Sequence, residues 1–307
     1  MTVTSDIVAL NQWLPVAYPG QVTPTKPHET LLLGQLIRLT AASDGTVTAV
    51  ALNASGAPER DLPIIEQFAV IFTTLGDNPR PMPIIQAFDE PDRRIVNCGS
   101  VGVHASPFRI VENFLDMAHF CFVHTDILGA ENETEVLSYK TEHRQDVDEI
   151  WATGFQFFQP AASPAAAEAG EGQMTDYTYR VLSPFGVMLY KSALGYADRL
   201  DAICLFIQPK TETECIGYMP MALLDDTSSN TGMIDFQQTI FLQDRIILEN
   251  QRPKLLPLTP RSEMPTRADL SMPTKSINIL TWVITNSLIF TFMLCQRRIF
   301  LLSGLRV

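Results

Sequence analysis

Cysteine and histidine are both scarce in this chain, five of each in 307 residues. Cys98, Cys121, Cys204, Cys215 and Cys295 are odd in number, widely spaced and in no C-x-x-C or H-x-x-C pair. They read as reduced thiols of a cytoplasmic protein, not as a disulfide framework. Basic residues are short too: 22 Lys and Arg against 34 Asp and Glu leave a net charge of −12. Neither nucleic acid nor an anionic membrane surface is therefore an expected partner. The first residues, Met-Thr-Val-Thr-Ser-Asp-Ile-Val, lack a basic stretch followed by an apolar run, so no secretory signal is expected, and there is no internal repeat. What is present is 46% hydrophobic residues, enough to bury a sizeable core in one large domain or two.

Two of the five histidines fall together. His119 and His124 lie five apart within residues 111–128, with Asp116 three before the first and Glu112 and Asn113 one turn earlier. On a helix Asp116 and His119 share a face, whereas the 3.6-residue period rotates His119 and His124 well apart. Both imidazoles can meet one metal only where the helix ends or bulges between them, and Phe120-Cys121-Phe122-Val123, aromatic or poor helix formers, favour such a break. Taken alone, H-x-x-x-x-H reads as two histidines satisfied in a core; the rest of the chain has to decide.

Taken in order, residues 31–39 and 46–52 read as strands about a turn at Asp44-Gly45, with a further apolar run over 62–72. Residues 73–95, rich in Pro, Gly, Asp and Arg, read as a linker, and 95–103 as a strand leading to the histidines, with His104 an exposed loop residue. Beyond them, 136–139, 149–158, 177–182, 187–192, 202–207 and 214–223 read as strands, several of them alternating. The low-complexity stretch 160–172 reads as a flexible loop, and a helix is expected over 233–251 after the cap region 225–230. On that helix Asp244, taken alone, is a surface carboxylate paired with Arg245 or Arg252. Phe155, Phe157, Phe158, Tyr179, Phe185 and Met188 are candidate cavity liners, but each taken singly reads first as plain core.

The segment Glu112-Asn113-Phe114-Leu115-Asp116-Met117-Ala118-His119, followed by His124, resembles the mononuclear iron motif of the Rieske non-haem iron oxygenases, in the branch of the vanillate O-demethylases and methylxanthine N-demethylases. Phe241-Leu242-Gln243-Asp244-Arg245 and the residues on to Pro253 match that branch's late helix. The resemblance implies Fe(II) held by His119, His124 and Asp244, a two-histidine, one-carboxylate set suited to oxygen chemistry, with electrons entering through Asp116. It implies an α+β fold: a remnant of a β Rieske domain over 1–90, a helix-grip (SRPBCC-like) catalytic domain with an antiparallel sheet over 91–272, and an atypical hydrophobic tail over 273–307.

One part of the family pattern is missing. Trp13-Leu14-Pro15-Val16 and the Leu-Leu-Gly-x-x-Ile run resemble the opening strands of a Rieske domain, whose C-x-H and C-x-x-H loops hold a 2Fe–2S cluster. Here residues 49–60 pass directly to the run at 62–72, and no cysteine precedes Cys98, so no such cluster can form. Within the branch this resembles a methylxanthine N7-demethylase subunit that lacks a Rieske domain and borrows one from a partner reductase. The expected function is a mononuclear Fe(II) oxygenase subunit that hydroxylates or demethylates a small aromatic or N-heterocyclic substrate with O2. NAD(P)H electrons would arrive through a Rieske-containing reductase or second oxygenase subunit, in a homo- or hetero-oligomer. The alternative is a non-catalytic helix-grip ligand-binding or structural subunit descended from an oxygenase. The tail departs from the relatives: 276–296 is an uncharged run of a length that spans a bilayer, and reads as a membrane anchor, a buried helix or a frame-altered end.

Overall fold

The computed structural model describes residues 3–257 apart from 138 and 171. The hydrophobic run 276–296 lies outside the described residues, and among those described no helix is long and apolar enough to cross a membrane.

The first part of the chain has a one-turn helix, α1 (Ile7–Leu10), and seven strands: β1 (Leu14–Ala17), β2 (His28–Leu32), β3 (Gln35–Ala41), β4 (Val47–Leu52), β5 (Pro58–Leu62), β6 (Ile64–Gln67) and β7 (Val70–Thr73). Strands β2 to β5 form a four-stranded meander, and β1, β7 and β6 a three-stranded sheet in that order. The apolar run 31–39 makes two strands instead of one. It folds back at Leu33 and Gly34, whose φ values of 50° and 85° are those of a tight left-handed hairpin turn. Strand β4 passes to β5 through one further turn, in which Asn53 Oδ1 accepts the Ser55 and Ala57 N–H groups at 3.0 and 3.1 Å.

The second part is one seven-stranded antiparallel sheet of β8 (Arg94–Val103), β9 (Lys140–Arg144), β10 (Glu149–Gln159), β11 (Gln173–Ser183), β12 (Gly186–Ser192), β13 (Leu200–Pro209) and β14 (Cys215–Leu223), ordered β8-β14-β13-β12-β11-β10-β9. Its helices are α2 (Pro107–Leu115), α3 (Phe120–Val123), α4 (Pro164–Ala169) and α5 (Asn230–Asn250). Strands β10 to β14 fall where the alternation places them, but of the expected strand at 136–139 the described residues 136, 137 and 139 lie in no strand, and β9 begins only at Lys140. The stretch 160–172 is not simply a loop. Ser163 caps α4 by accepting the Ala166 N–H, Pro164 stands in its first turn, and Gly170 ends it at φ 68°, a start and stop that alanines between them turn into helix.

Topology places the histidine segment. Strands β8 and β9, which flank residues 104–139, are the two opposite edges of the sheet, so the chain between them has to cross the sheet's width. Helix α5 follows β14 and packs back over β8, its buried Met233, Ile240, Phe241, Asp244 and Leu248 forming one helical stripe. Two glycines let it come close. A Cβ on Gly99 (φ 82°) would meet Gln238 Nε2 at 2.9 Å, and one on Gly217 would meet the Phe241 ring at 3.0 Å.

The central strands β12, β13 and β14 are buried on both faces. On one, Met188, Ala202, Cys204, Phe206 and Tyr218 form an apolar cluster with Tyr18, Phe68 and Phe72 of the first part. The Tyr18 hydroxyl links the two, donating to the Gly99 carbonyl at 2.6 Å and accepting the Met219 N–H at 2.8 Å. The alternate residues, among them Tyr179, Leu189, Ile203 and Leu205, face the segments that cross the sheet, as the two-residue period of a strand requires.

Candidate metal centre

Helix α2 starts at an ordinary cap, with Ser106 Oγ accepting the Arg109 N–H at 3.3 Å and Pro107 in the first turn. It stops at Leu115, and Asp116 is already extended (φ −82°, ψ 128°). The break therefore precedes both histidines instead of dividing them. Phe120 to Val123 form a single helical turn, α3, with His119 as its N-cap residue and His124 as its C-cap residue. The two imidazoles leave opposite ends of one turn and converge.

They converge on α5. His119 Nε2 and His124 Nε2 are 3.2 Å apart, and Asp244 Oδ1 lies 3.3 Å from the first and 3.0 Å from the second. Among the described residues this is the one group of three or more His, Cys, Asp or Glu side chains with ligand atoms in metal-binding proximity. The outer ring nitrogens are also held: His119 Nδ1 is 3.2 Å from Asp116 Oδ2, and His124 Nδ1 is 2.8 Å from Gln243 Oε1. Each of those oxygens is an acceptor, so each Nδ1 carries the proton and each Nε2 turns a lone pair inward. Three acceptor atoms thus face one another, an arrangement that needs a cation at its centre. An ion about 2.1 Å from every atom sets right-angled ligand neighbours about 3.0 Å apart, so the triangle fits a metal.

The electrostatics agree. Burial of His119 works against its charge, but its hydrogen bonds to Asp116 and Asp244 outweigh that and raise its pKa to about 9. Burial likewise opposes the charge of Asp244, and its bonds to His119 and His124 prevail, holding its carboxyl below the usual carboxylate range. Without a metal, a proton on His119 plays the cation's part. The surface pairing open to Asp244 in the sequence is not formed: Arg245 pairs with Glu249 at 2.9 Å, and Asp244 is 8% exposed.

Residues that sequence reasoning missed hold this frame. Gln243 is one. Asn113 is another, its Nδ2 donating to Asp244 Oδ1 at 3.3 Å. Arg109, fully buried, donates to Glu112 Oε2 at 2.8 Å and to the Pro253 carbonyl at 3.1 Å, which ties α2 to the chain beyond α5. Arg109 and Asn113 share a face of α2 at the i, i+4 spacing, and Asn113 stands inside the motif that precedes His119.

The triangle opens on a cleft of about 680 Å³, mouth included, walled by Phe114, Phe120, Tyr179, Leu189, Phe236 and Phe241 among others. Of the six aromatic and Met liners considered from sequence, only Tyr179 borders it. Phe155 stacks on Tyr139, Phe157 packs against Phe120, Phe185 stacks on Phe108, and Met188 faces the other side of the sheet. His104 is exposed at the end of β8, 3.4 Å from Glu214.

Residues 103–272 match the model of the vanillate O-demethylase oxygenase C-terminal domain. The chain belongs to this family. Over 261 residues it is 44% identical to the probable methylxanthine N7-demethylase NdmC of Pseudomonas sp. (strain TJI-51), covering 85% of this chain and 89% of the relative. In fold it is similar to NdmA of Pseudomonas putida CBB5, solved with caffeine, at a TM-score of 0.69 and 18% identity over 88% of this chain and 90% of that one. It is also similar to dicamba monooxygenase bound to 3,6-dichlorosalicylic acid, at a TM-score of 0.64 and 17% identity over 90% and 98% of the two chains. As a member of the vanillate O-demethylase family the chain is an oxygenase of the demethylase type, and its mixed α+β architecture, dominated by antiparallel sheet, is the fold of these neighbours.

Proposed function

We propose that this oxygenase is the catalytic subunit of a mononuclear Fe(II) system that removes an N-methyl group from a methylxanthine-like heterocycle, with electrons supplied by a separate Rieske protein. One observation carries the reading. The inward lone pairs of His119, His124 and Asp244 converge at the base of an apolar cleft, in a chain that shares 44% identity with a probable methylxanthine N7-demethylase. A ligand-binding subunit would have no need of three converging acceptors.

With Fe(II) held by these three residues, the centre supplies reductive activation of O2 for hydroxylation of a C–H bond. Gln243 and Asp116 keep both histidines in the tautomer that binds metal. The aromatic wall of the cleft excludes water and stacks a flat ring, leaving a methyl group directed at the base. Hydroxylation there gives an N-hydroxymethyl compound, which releases formaldehyde and leaves N–H; O2, two electrons and two protons are consumed, and the second oxygen atom leaves as water.

The electrons have to come from outside, because no cysteine precedes Cys98 and the four described cysteines are buried and free. Asp116 suits an entry point. Its side chain is 39% exposed while one of its oxygens holds His119, and Phe122, on the α3 turn that joins the two histidines, shows an unusual 70% exposure. A Rieske-bearing reductase carrying NAD(P)H electrons is the partner this face would take.

The decisive test is the iron content of anaerobically purified protein, wild type beside His119→Ala and Asp244→Ala. Near one iron per chain, lost in both variants, is expected; a wild type that takes up none after reconstitution would refute the triad. Formaldehyde release from 7-methylxanthine with a Rieske reductase then tests the substrate class.

A further inference from the structure

Lys191 has an address that the metal centre does not explain. It lies on β12, paired across the ladder with Tyr177 on one side and Asp201 on the other, and is 7% exposed. It borders the cleft that holds His119, His124 and Asp244 and also a second cleft between the α4 segment and the start of α5; Ile203, Phe236 and Gln237 are shared in the same way. The two clefts thus adjoin, with Lys191 at their junction.

A buried ammonium has three protons to place. One goes to the Ala162 carbonyl, just before α4. Among the described residues Lys191 makes no ion pair, and the carboxylate across from it is engaged elsewhere, Asp201 Oδ1 accepting the Leu224 N–H at 2.8 Å. Leu189 and Ile203 beside it are apolar, so packing alone would be served better by a methionine or leucine. Burial holds the ammonium below its usual pKa, with Asp201 opposing, the condition of a cation short of acceptors.

We propose that Lys191 is a substrate-recognition residue, donating from its ammonium to an oxygen carried on the substrate ring at the junction of the two clefts. This rests on the reading of the chain as a demethylase of N-methylated heterocycles and names what such a ring must carry: a carbonyl or anionic oxygen remote from the methyl group that faces the three ligands. Tyr179, whose hydroxyl is buried and has no hydrogen-bond partner among the described residues, borders the same cleft two residues along β11 from Tyr177. It is a second donor for such a ring.

The test is equilibrium binding to the full chain, loaded anaerobically with Fe(II) so that nothing turns over, for wild type, Lys191→Met and Lys191→Gln. The glutamine retains a donor for Ala162 and serves if the methionine variant does not fold. The probes are 7-methylxanthine, the oxygen-free bicycle 1-methylbenzimidazole, and vanillate. Loss of a charged hydrogen bond is expected to weaken 7-methylxanthine about tenfold or more, with 1-methylbenzimidazole changed by less than about twofold. An equal loss for both rings would reduce Lys191 to an anchor for the α4 segment, and no loss for either would remove it from the site; both outcomes overturn the proposal and leave the methylxanthine reading standing. Binding of vanillate alone, weakened in the variants, would uphold Lys191 and overturn the methylxanthine reading. A wild type that binds none of the three overturns both.

Discussion

Gln243 Oε1 stands 2.8 Å from His124 Nδ1. The next residue of α5, Asp244, reaches the other nitrogen of the same ring at 3.0 Å, so one step of helix clamps the imidazole from both sides. His124 itself is fully buried, and its ring orientation is set by this pair.

Replacing Gln243 with Leu should therefore lower iron affinity without unfolding the chain. Loss of such an outer partner typically costs 10- to 100-fold in metal affinity, and about that is expected here. Titration with Fe(II) beside a competing chelator reads the affinity, and the melting curve of the metal-free variant should stay close to the wild type's.

Asp116→Asn separates holding iron from feeding it. The amide oxygen can still accept from His119 Nδ1, so iron content should remain near that of the wild type, while the charge between the surface and His119 is gone. Turnover coupled to a Rieske reductase should fall; loss of iron instead would show that Asp116 acts only through the position of His119.

The metal-free site should be sensitive to pH in a defined direction. His119 titrates near 6.5 when unfolded and at about 9 in the folded chain without metal. Its folded pKa is the higher one, so its protonation stabilises the metal-free fold fully below about 6.5, and that contribution is lost as pH rises to about 9. Metal has to displace the same proton, so its apparent affinity should rise across this window. Thermal melting from pH 6 to 9.5 should show the decline in metal-free protein alone.

Far from the iron face, Glu149 and Arg180 form a bidentate pair, at 2.8 and 3.0 Å, with side chains only 3% and 6% exposed. Glu149→Ala strands a buried guanidinium and should destabilise the chain by about 3–5 kcal/mol. A denaturant midpoint measured on the metal-free protein checks it, since the pair lies on the sheet and not at the triad.

Much of this could be read before any coordinates. Alternation places β10 to β14, because successive side chains of a strand point to opposite faces of the sheet and leave a local, two-residue signal. The absence of cysteine before Cys98 is legible without reference to shape. The motif around Asp116, His119 and His124, with Phe241 to Pro253, marks the four residues that stand together.

Other features depend on partners distant in sequence. Whether Leu31 to Leu39 is one strand or two turns on Leu33 and Gly34 adopting positive φ, where the Leu33 and Gly34 N–H groups reach the carbonyls of Pro209 and Lys210. The helix α4 within 160–172, by contrast, is local, and depended on reading Ser163-Pro164 as a start signal instead of as low complexity.

By itself the sequence singled out Asp116, His119, His124 and Asp244 as the candidates for chemistry, since residue identity and likeness to a family motif need no coordinates. Only the tertiary structure decided that His119 and His124, rotated apart on any continuous helix, meet at a single turn; that Asp244, more than a hundred residues on, closes the triangle; that Gln243 backs His124; and that Asn113 and Lys191 face the same cleft. The reason is topological. With β8 and β9 at opposite edges of the sheet, residues 104–139 have to cross its face, and α5, returning over β8, has to meet them there.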